Sequence, residues 1–240
     1  MLICETFYSV QGEGCYTGYP SIFIRTSICQ LRCQFCDSYF TSWYNEGNPI
    51  KPKELYDKII KEYGFVSHVV ITGGEPLINN DLQDLLLILK ENNHFVTIET
   101  NGLIFRDFLI HPDIYSISPK FNNSIPTENL HVKGYDWKEA RDIHVSNLLY
   151  NDSNITKYLK SGTNLQFKFV ICDVDKDVKE VLSFINKFQI PKKYIFLMPE
   201  GVTREAITEK SIALVEICKE LIVNFSTRLH INLWEQKRGV

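Results

Sequence analysis

No apolar run in this chain of 240 residues approaches the roughly 20 that a membrane-spanning helix needs. The longest obvious one, Leu85-Leu86-Leu87-Ile88-Leu89, is that of a buried helix, so no membrane partner is expected. The beginning, Met1-Leu2-Ile3-Cys4-Glu5, lacks a basic segment followed by an apolar stretch, which leaves the cytoplasm as the expected location. Charge of one sign is missing too: the formal balance of −3 gives no field for holding nucleic acid nonspecifically, and no nucleic-acid partner is expected. There is no internal repeat and no low-complexity linker, so the chain is taken as a single domain spanning residues 1–240. Apolar residues make up 44% and charged residues 23%, an ordinary balance for a globular protein of a size that needs no disulfide or structural metal.

The seven cysteines fit a disulfide framework poorly, being odd in number with three packed into eight residues. Cys4, Cys15, Cys172 and Cys218 are scattered and read as small buried hydrophobes, Cys15 least clearly because it follows the polar Gln11-Gly12-Glu13-Gly14.

Short runs rich in aliphatic, aromatic and Thr residues predict buried strands at Ser21–Arg25, His68–Thr72, Phe95–Glu99, Ile114–Ser118, Gln166–Ile171 and Tyr194–Met198, with a weaker seventh around Leu229–Leu233. Helical patterns lie between them. Lys51–Tyr63 has Pro52 near its start and Gly64 just past its end. Asp81–Lys90 follows Asn80 as N-cap, with Gln83 placed to complete a capping box. Val174–Phe188 and Arg204–Val223 carry apolar residues at three- and four-residue spacing. This alternation predicts an α/β fold with a parallel sheet. Six or seven strands fall short of the eight that close a barrel, so the expectation is an incomplete, open TIM-like barrel with outer helices. Its chemistry belongs at the C-terminal strand ends. The stretch at about 121–162 breaks the alternation and reads as a helical insertion.

Cys29-Gln30-Leu31-Arg32-Cys33-Gln34-Phe35-Cys36 has the spacing C-x3-C-x2-C. Thiolate sulfur suits iron–sulfur and zinc sites, and three thiolates on one loop can wrap a corner of a cubane cluster while leaving one iron open. A structural zinc site would require a fourth ligand. With no partnering CxxC or HxxxH, that ligand would have to be Asp37 or a distant residue. Cysteines without any metal are the other plain alternative.

An aromatic residue before the last cysteine, together with Val69-Val70-Ile71-Thr72-Gly73-Gly74-Glu75-Pro76 after a strand, resembles the radical S-adenosylmethionine (SAM) superfamily. Glu5-Thr6-Phe7-Tyr8-Ser9-Val10-Gln11-Gly12-Glu13-Gly14, Phe23-Ile24-Arg25, Cys36-Asp37-Ser38, Glu99-Thr100-Asn101-Gly102 and Ser118-Pro119-Lys120 resemble the 7-carboxy-7-deazaguanine synthase family more narrowly. The resemblance implies a 4Fe-4S cluster on Cys29, Cys33 and Cys36. It implies SAM held by Gly74 and its neighbours, with Phe35 beside the adenine, Ser118-Pro119-Lys120 in contact, and Asp37 and Glu75 among the cofactor-binding residues. Magnesium would meet the Ser38 hydroxyl. The substrate would be 6-carboxy-5,6,7,8-tetrahydropterin, its donor edge facing Gln11, Gly12 and Glu13, its carboxylate gripped by Arg25, and Thr72 alongside. The implied product is 7-carboxy-7-deazaguanine, made with loss of ammonia by a radical-driven ring contraction in the queuosine and deazapurine pathway. An external one-electron donor (flavodoxin-like or ferredoxin-like) and a homodimer are implied as partners. Outside the resemblance, the Gly-Gly-Glu-Pro turn, a strand-end Arg25 and Ser38 would be unremarkable. The C-terminal Leu229–Trp234 departs from the Gln-x-His-Lys type of segment found in many relatives. A glycyl-radical activase and a non-catalytic iron–sulfur module are the rival readings; the first would need a protein-docking face and the second has no use for an open iron.

Overall fold

The computed structural model describes residues 1–130, 132, 134–148 and 152–240; the expected insertion at about 121–162 therefore lies partly outside the described residues. The chain opens with β1 (Leu2–Val10) and β2 (Pro20–Thr26), an antiparallel pair, followed by α1 (Tyr39–Ser42) and the two-residue β3 (Asn48–Pro49), which adds to the free side of β1. Then come α2 (Pro52–Tyr63), β4 (His68–Gly73), α3 (Leu82–Glu91), β5 (Phe95–Thr100) and β6 (Ile114–Ile117). Two further helices, α4 (Trp137–Asn147) and α5 (Asp152–Lys160), precede β7 (Asn164–Ile171), α6 (Val174–Phe188), β8 (Ile195–Pro199), α7 (Arg204–Leu221), β9 (Asn224–Phe225) and α8 (Leu229–Trp234).

Among the described residues one nine-stranded sheet runs β3-β1-β2-β4-β5-β6-β7-β8-β9, parallel from β2 to β9, and its two end strands do not pair. This is the expected open barrel. Its strands are apolar nearly throughout, as sheets covered on both faces require: Ile22, Ile24, Val69, Ile71, Val96, Ile98, Ile117, Phe167 and Phe169 are all buried. Leu85, Leu86 and Leu89 of α3, Leu55 and Ile59 of α2, and Val181 and Phe184 of α6 close over that sheet. The central register pairs Arg25 with Thr72 and Thr26 with Gly73, so the C-terminal ends of β2 and β4 stand level.

Three expectations need correction, and one strand was not foreseen. Leu229–Leu233 is not a strand but part of α8; the last strand is Asn224–Phe225, and the Leu229 amide is spent on Gly12 O, 2.8 Å away, so it does not join a ladder. β1, beside the two-residue β3 at the sheet edge, gave no clear signal because its buried residues are only Ile3 and Phe7. The capping box at α3 does not form. Asn80 accepts instead from Arg106, Gln83 accepts from the Leu109 amide, and Asp81 takes the N-cap position without a side-chain cap. Tyr194 falls in a 3-10 turn just before β8.

At the opposite end from the polar motifs, His68 is 1% exposed, with Nδ1 at 2.8 Å from Ser21 Oγ and Nε2 at 2.8 Å from Thr97 Oγ1. Burial holds it neutral and lowers its pKa from 6.5 to about 4. Because the unfolded chain takes up that proton more readily, the stability it contributes is complete above pH 6.5 and is lost as pH falls toward about 4. Urea unfolding should therefore show falling stability across that window and a shallower fall in His68→Gln. An unchanged slope would place the responsible titration elsewhere.

Candidate active site

The cysteine loop begins where two backbones touch. Gly74 N donates to Thr26 O at 2.9 Å and Glu75 N to Ile28 O at 2.8 Å. A Cβ on Gly73 (φ +124°) would stand 2.0 Å from Thr26 O, and one on Gly74 would stand 2.2 Å from Ile28 O. Both glycines are thus demanded by the chain that launches the cysteines. Ile28 itself sits at φ +75°, a conformation that costs a β-branched residue about 1–3 kcal/mol. Its amide bond to Thr41 O (2.8 Å) and the Glu75 bond hold it there. Glu75 is fully buried, and its carboxyl accepts from Thr100 Oγ1 (2.8 Å), Asn101 N (2.8 Å) and Leu77 N (3.1 Å). Burial pushes it up to about 7. These bonds fasten the turn to the end of β5, and Glu75, expected among the cofactor contacts, does not line the cavity of the cysteines.

Cys29, Cys33 and Cys36 line one cavity with Phe35, Gly74, Asn101, Ser118 and Lys120. Lys120 Nζ folds back onto Ser118, at 2.7 Å from its carbonyl and 2.6 Å from its hydroxyl. Pro119, unlike its neighbours, does not line the cavity. All three cysteines are free thiols. Burial raises each of their pKa values, that of Cys29 to about 12, so thiolates here would need a metal cation to compensate them. Among the described residues no three His, Cys, Asp or Glu side chains gather around a single-ion position. A cubane takes each thiolate on a different iron and needs no fourth protein ligand, whereas structural zinc would need one.

A second cavity adjoins the first and shares Glu13, Asp37, Ser38, Thr72, Gly73 and Glu99 with it. Gln11, Gly12 and Arg25 line it as well. Arg25 donates through Nε to Glu5 (2.8 Å) and through Nη1 to Ser38 Oγ (3.2 Å), and Ser38 donates to Asp37 Oδ1 (3.1 Å). Gln11 is already engaged, its Oε1 accepting from Glu13 N at 3.2 Å and its amide reaching Glu99 at 3.3 Å. It is therefore less available as an acceptor than the sequence suggested. Thr72 donates to Glu99 Oε2 at 2.7 Å.

Glu13 is the hub. Lys168 Nζ meets its Oε2 at 2.8 Å and Glu99 Oε1 at 3.1 Å, while Arg228 Nε meets Glu13 Oε1 at 2.9 Å and a second Arg228 nitrogen bonds Asp37 Oδ2. Burial would raise the Glu13 pKa, but Lys168 and Arg228 outweigh it and hold the carboxyl well below its ordinary range. Asp37 is lowered likewise, Arg228 outweighing burial. The Lys168 ammonium, disfavoured by burial, is held charged by Glu13 and Glu99.

Sequence reasoning missed Lys168, Arg228 and His230 as members of this site and gave Glu99 no role. A lysine two positions after Gln166 in an otherwise apolar strand was a usable signal for Lys168. Nothing local marks Arg228. His230 packs on the Gln-Gly-Glu loop so closely that a Cβ on Gly12 would lie 2.0 Å from its Nδ1, and α8 thereby walls the second cavity.

The family model described as "Radical SAM superfamily" matches residues 23–144. The 7-carboxy-7-deazaguanine synthase of Halobacterium salinarum is 38% identical, the match covering 97% of this chain and 90% of that protein. That of Rhodopirellula baltica is 33% identical over 100% of this chain and 88% of its own length. Among solved structures, QueE from Escherichia coli superposes with a TM-score of 0.63 at 24% identity, covering 95% of this chain and 94% of that one, a likeness of fold.

Lys168→Met should destabilise the protein by about 3–5 kcal/mol in urea unfolding, because it removes the buried ammonium between two carboxylates and leaves Glu99 with only its bonds from Thr72 and Gln11. A loss below about 1 kcal/mol would mean that water, not Lys168, compensates them.

Proposed function

Since the chain belongs to the 7-carboxy-7-deazaguanine synthase family of the radical SAM superfamily, we propose that its two joined cavities convert 6-carboxy-5,6,7,8-tetrahydropterin to 7-carboxy-7-deazaguanine with release of ammonia. The observation that carries this reading is their shared wall, in which Glu13, Asp37, Ser38, Thr72, Gly73 and Glu99 face both the three cysteines and Arg25. A substrate in one would lie against a cofactor in the other.

Cys29, Cys33 and Cys36 would hold the 4Fe-4S cluster, and the end of β4 at Gly74, with Phe35, Ser118 and Lys120, would hold SAM. Bound together, cluster and SAM supply one-electron radical chemistry, started by an external reductant; the protein aims that chemistry and excludes water. Arg25 has spent one N–H on Glu5 and one on Ser38, leaving other N–H groups of its fork for the substrate carboxylate. Glu13 stays ionised, with one bond taken on each oxygen and lone pairs left for the pterin N–H edge. Ser38 and Asp37 offer few oxygens, which suits Mg2+, an ion that keeps waters and takes substrate oxygens. Such an ion would neutralise the substrate carboxylate beside Arg25. No helix among the described residues is long and apolar enough to cross a membrane; a cytoplasmic homodimer, served by a flavodoxin-like or ferredoxin-like donor, completes the proposal.

The test is anaerobic. Protein reconstituted with iron and sulfide, given SAM, Mg2+, reductant and the pterin, should yield 7-carboxy-7-deazaguanine by mass spectrometry, and Cys33→Ala should yield none. Arg25→Ala should keep its cluster and lose about 10²-fold in kcat/KM, since it loses positioning rather than cofactor. Wild-type rates from Arg25→Ala at low substrate would refute the pose. SAM cleavage without the deazaguanine would sink the substrate while leaving the radical chemistry.

A further inference from the structure

The residues between the cysteines are tied down one after another, each by a different part of the chain. Gln30 donates to Asn101 Oδ1 at 3.3 Å, at the end of β5. The Arg32 amide donates to His144 Nδ1 on α4 at 3.1 Å. The Gln34 amide donates to Ser124 O at 2.8 Å, and its side chain accepts from Thr127 at 2.7 Å. Three of these four anchors, His144, Ser124 and Thr127, come from the stretch between β6 and β7 that breaks the strand–helix alternation. Tyr135 of the same stretch adds a bond to the Trp43 carbonyl at the end of α1.

His144 is the centre of this brace. It is fully buried, and both ring nitrogens are used. Accepting the Arg32 N–H at Nδ1 requires the proton on Nε2, which then donates to Ser124 Oγ at 3.0 Å; Ser124 passes its own hydrogen to Phe121 O at 2.5 Å. The relay has one polarity throughout. A C-x3-C loop has no helix or ladder to satisfy its amides, and any left unclaimed would turn toward the sulfurs, as the Leu31 amide already does at 3.4 Å from Cys29 Sγ. An acceptor supplied from outside the loop fixes which amides face sulfur and which do not.

We propose that His144, oriented by Ser124, is a positioning residue for the cluster loop, claiming the Arg32 amide so that Cys29 and Cys33 are presented to one cluster in a single arrangement. This rests on the reading of Cys29, Cys33 and Cys36 as cluster ligands. It gives the segment between β6 and β7 a task in the chemistry: it is the outer half of the cluster site.

The experiment compares reconstituted wild type with His144→Phe, His144→Gln, Ser124→Ala and, as a control, His68→Phe, which removes an equally buried and doubly bonded histidine far from the cysteines. The readouts are iron and sulfide content, the electron paramagnetic resonance spectrum of the reduced cluster, and the rate of cluster loss to a chelator. His144→Phe fills the ring volume but strands the Arg32 amide, so it should lose its cluster about tenfold faster than wild type and with an altered spectrum. His144→Gln, which restores an acceptor and a donor, should recover much of the difference, and His68→Phe should match wild type in both. Wild-type spectrum and lifetime in His144→Phe would overturn the proposal, and so would the same defect in His68→Phe. Should His144→Phe not fold, Ser124→Ala carries the test: a severalfold faster loss supports the brace, and an unchanged rate refutes it. Wild-type protein that takes up no cluster at all would instead overturn the cluster reading, and the proposal with it.

Discussion

The approach of Gly73-Gly74 to Thr26–Ile28 is the constraint on which the site depends. The contact is backbone against backbone, too close for any Cβ, and it fixes two things together. It sets the path of the chain into Cys29 through the strained Ile28, and it locks the register in which Arg25 stands beside Thr72. In a strand a one-residue slip sends every side chain to the other face. A slip here would remove Arg25 and Thr72 from the second cavity while displacing the start of the cysteine loop. One register therefore serves both halves of the site, and Glu75, buried and bonded to the end of β5, extends the lock to a third strand.

A second constraint is electrical. Glu13, Glu99 and Asp37 are partly buried carboxylates, and Lys168 and Arg228 are the buried cations between them. Removing such charges from water costs several kcal/mol per ion, and the attraction returns that only when geometry is good. The members come from five places: the loop after β1, the end of the cysteine motif, β5, β7 and the approach to α8. The network thereby joins the start of the chain to its end at the point where the cavities meet. A fold that needed only stability would do as well with apolar side chains there. Fixed charges whose remaining lone pairs and N–H groups face a cavity are suited to a polar substrate.

Much of this was legible from local pattern. Apolar runs placed the parallel strands, and the cysteine spacing with Gly-Gly-Glu-Pro pointed at the cluster end, because each is written in contiguous residues. What escaped depends on tertiary context. Leu229–Leu233 has strand-like composition, yet Gly12 O captures its first amide and Arg228 anchors it from below, so it winds as a helix. Lys168 looks like an isolated charge until the fold brings Glu13 and Glu99 to it. The resemblance gave Gly74 and its neighbours to SAM, but the nearest obstacle to a side chain at Gly73 or Gly74 is the chain itself. The segment between β6 and β7 was opaque because its role is carried by backbone groups of the cysteine loop, which leave no trace in side-chain pattern.

Arg25 shows how these constraints combine into function. A free arginine would lose about 2 kcal/mol of rotamer freedom on gripping a carboxylate. Here that loss is met before any ligand arrives: Glu5 fixes Nε, Ser38 fixes one terminal nitrogen, and the guanidinium lies 5.3 Å from the Phe7 ring and 5.9 Å from that of Phe40. Phe40 is held in turn by Arg238, whose guanidinium is 3.7 Å from its centroid and which also pairs with Glu46 and Glu5. The strand register decides where Arg25 begins, and the aromatic and carboxylate cage decides where its fork ends. In the proposed pose, what remains for the substrate carboxylate is to meet a fork already aimed, beside the cavity that holds the cysteines. A reaction started by a radical has most need of that arrangement, since a reactive centre a fraction of an ångström out of place attacks the wrong atom.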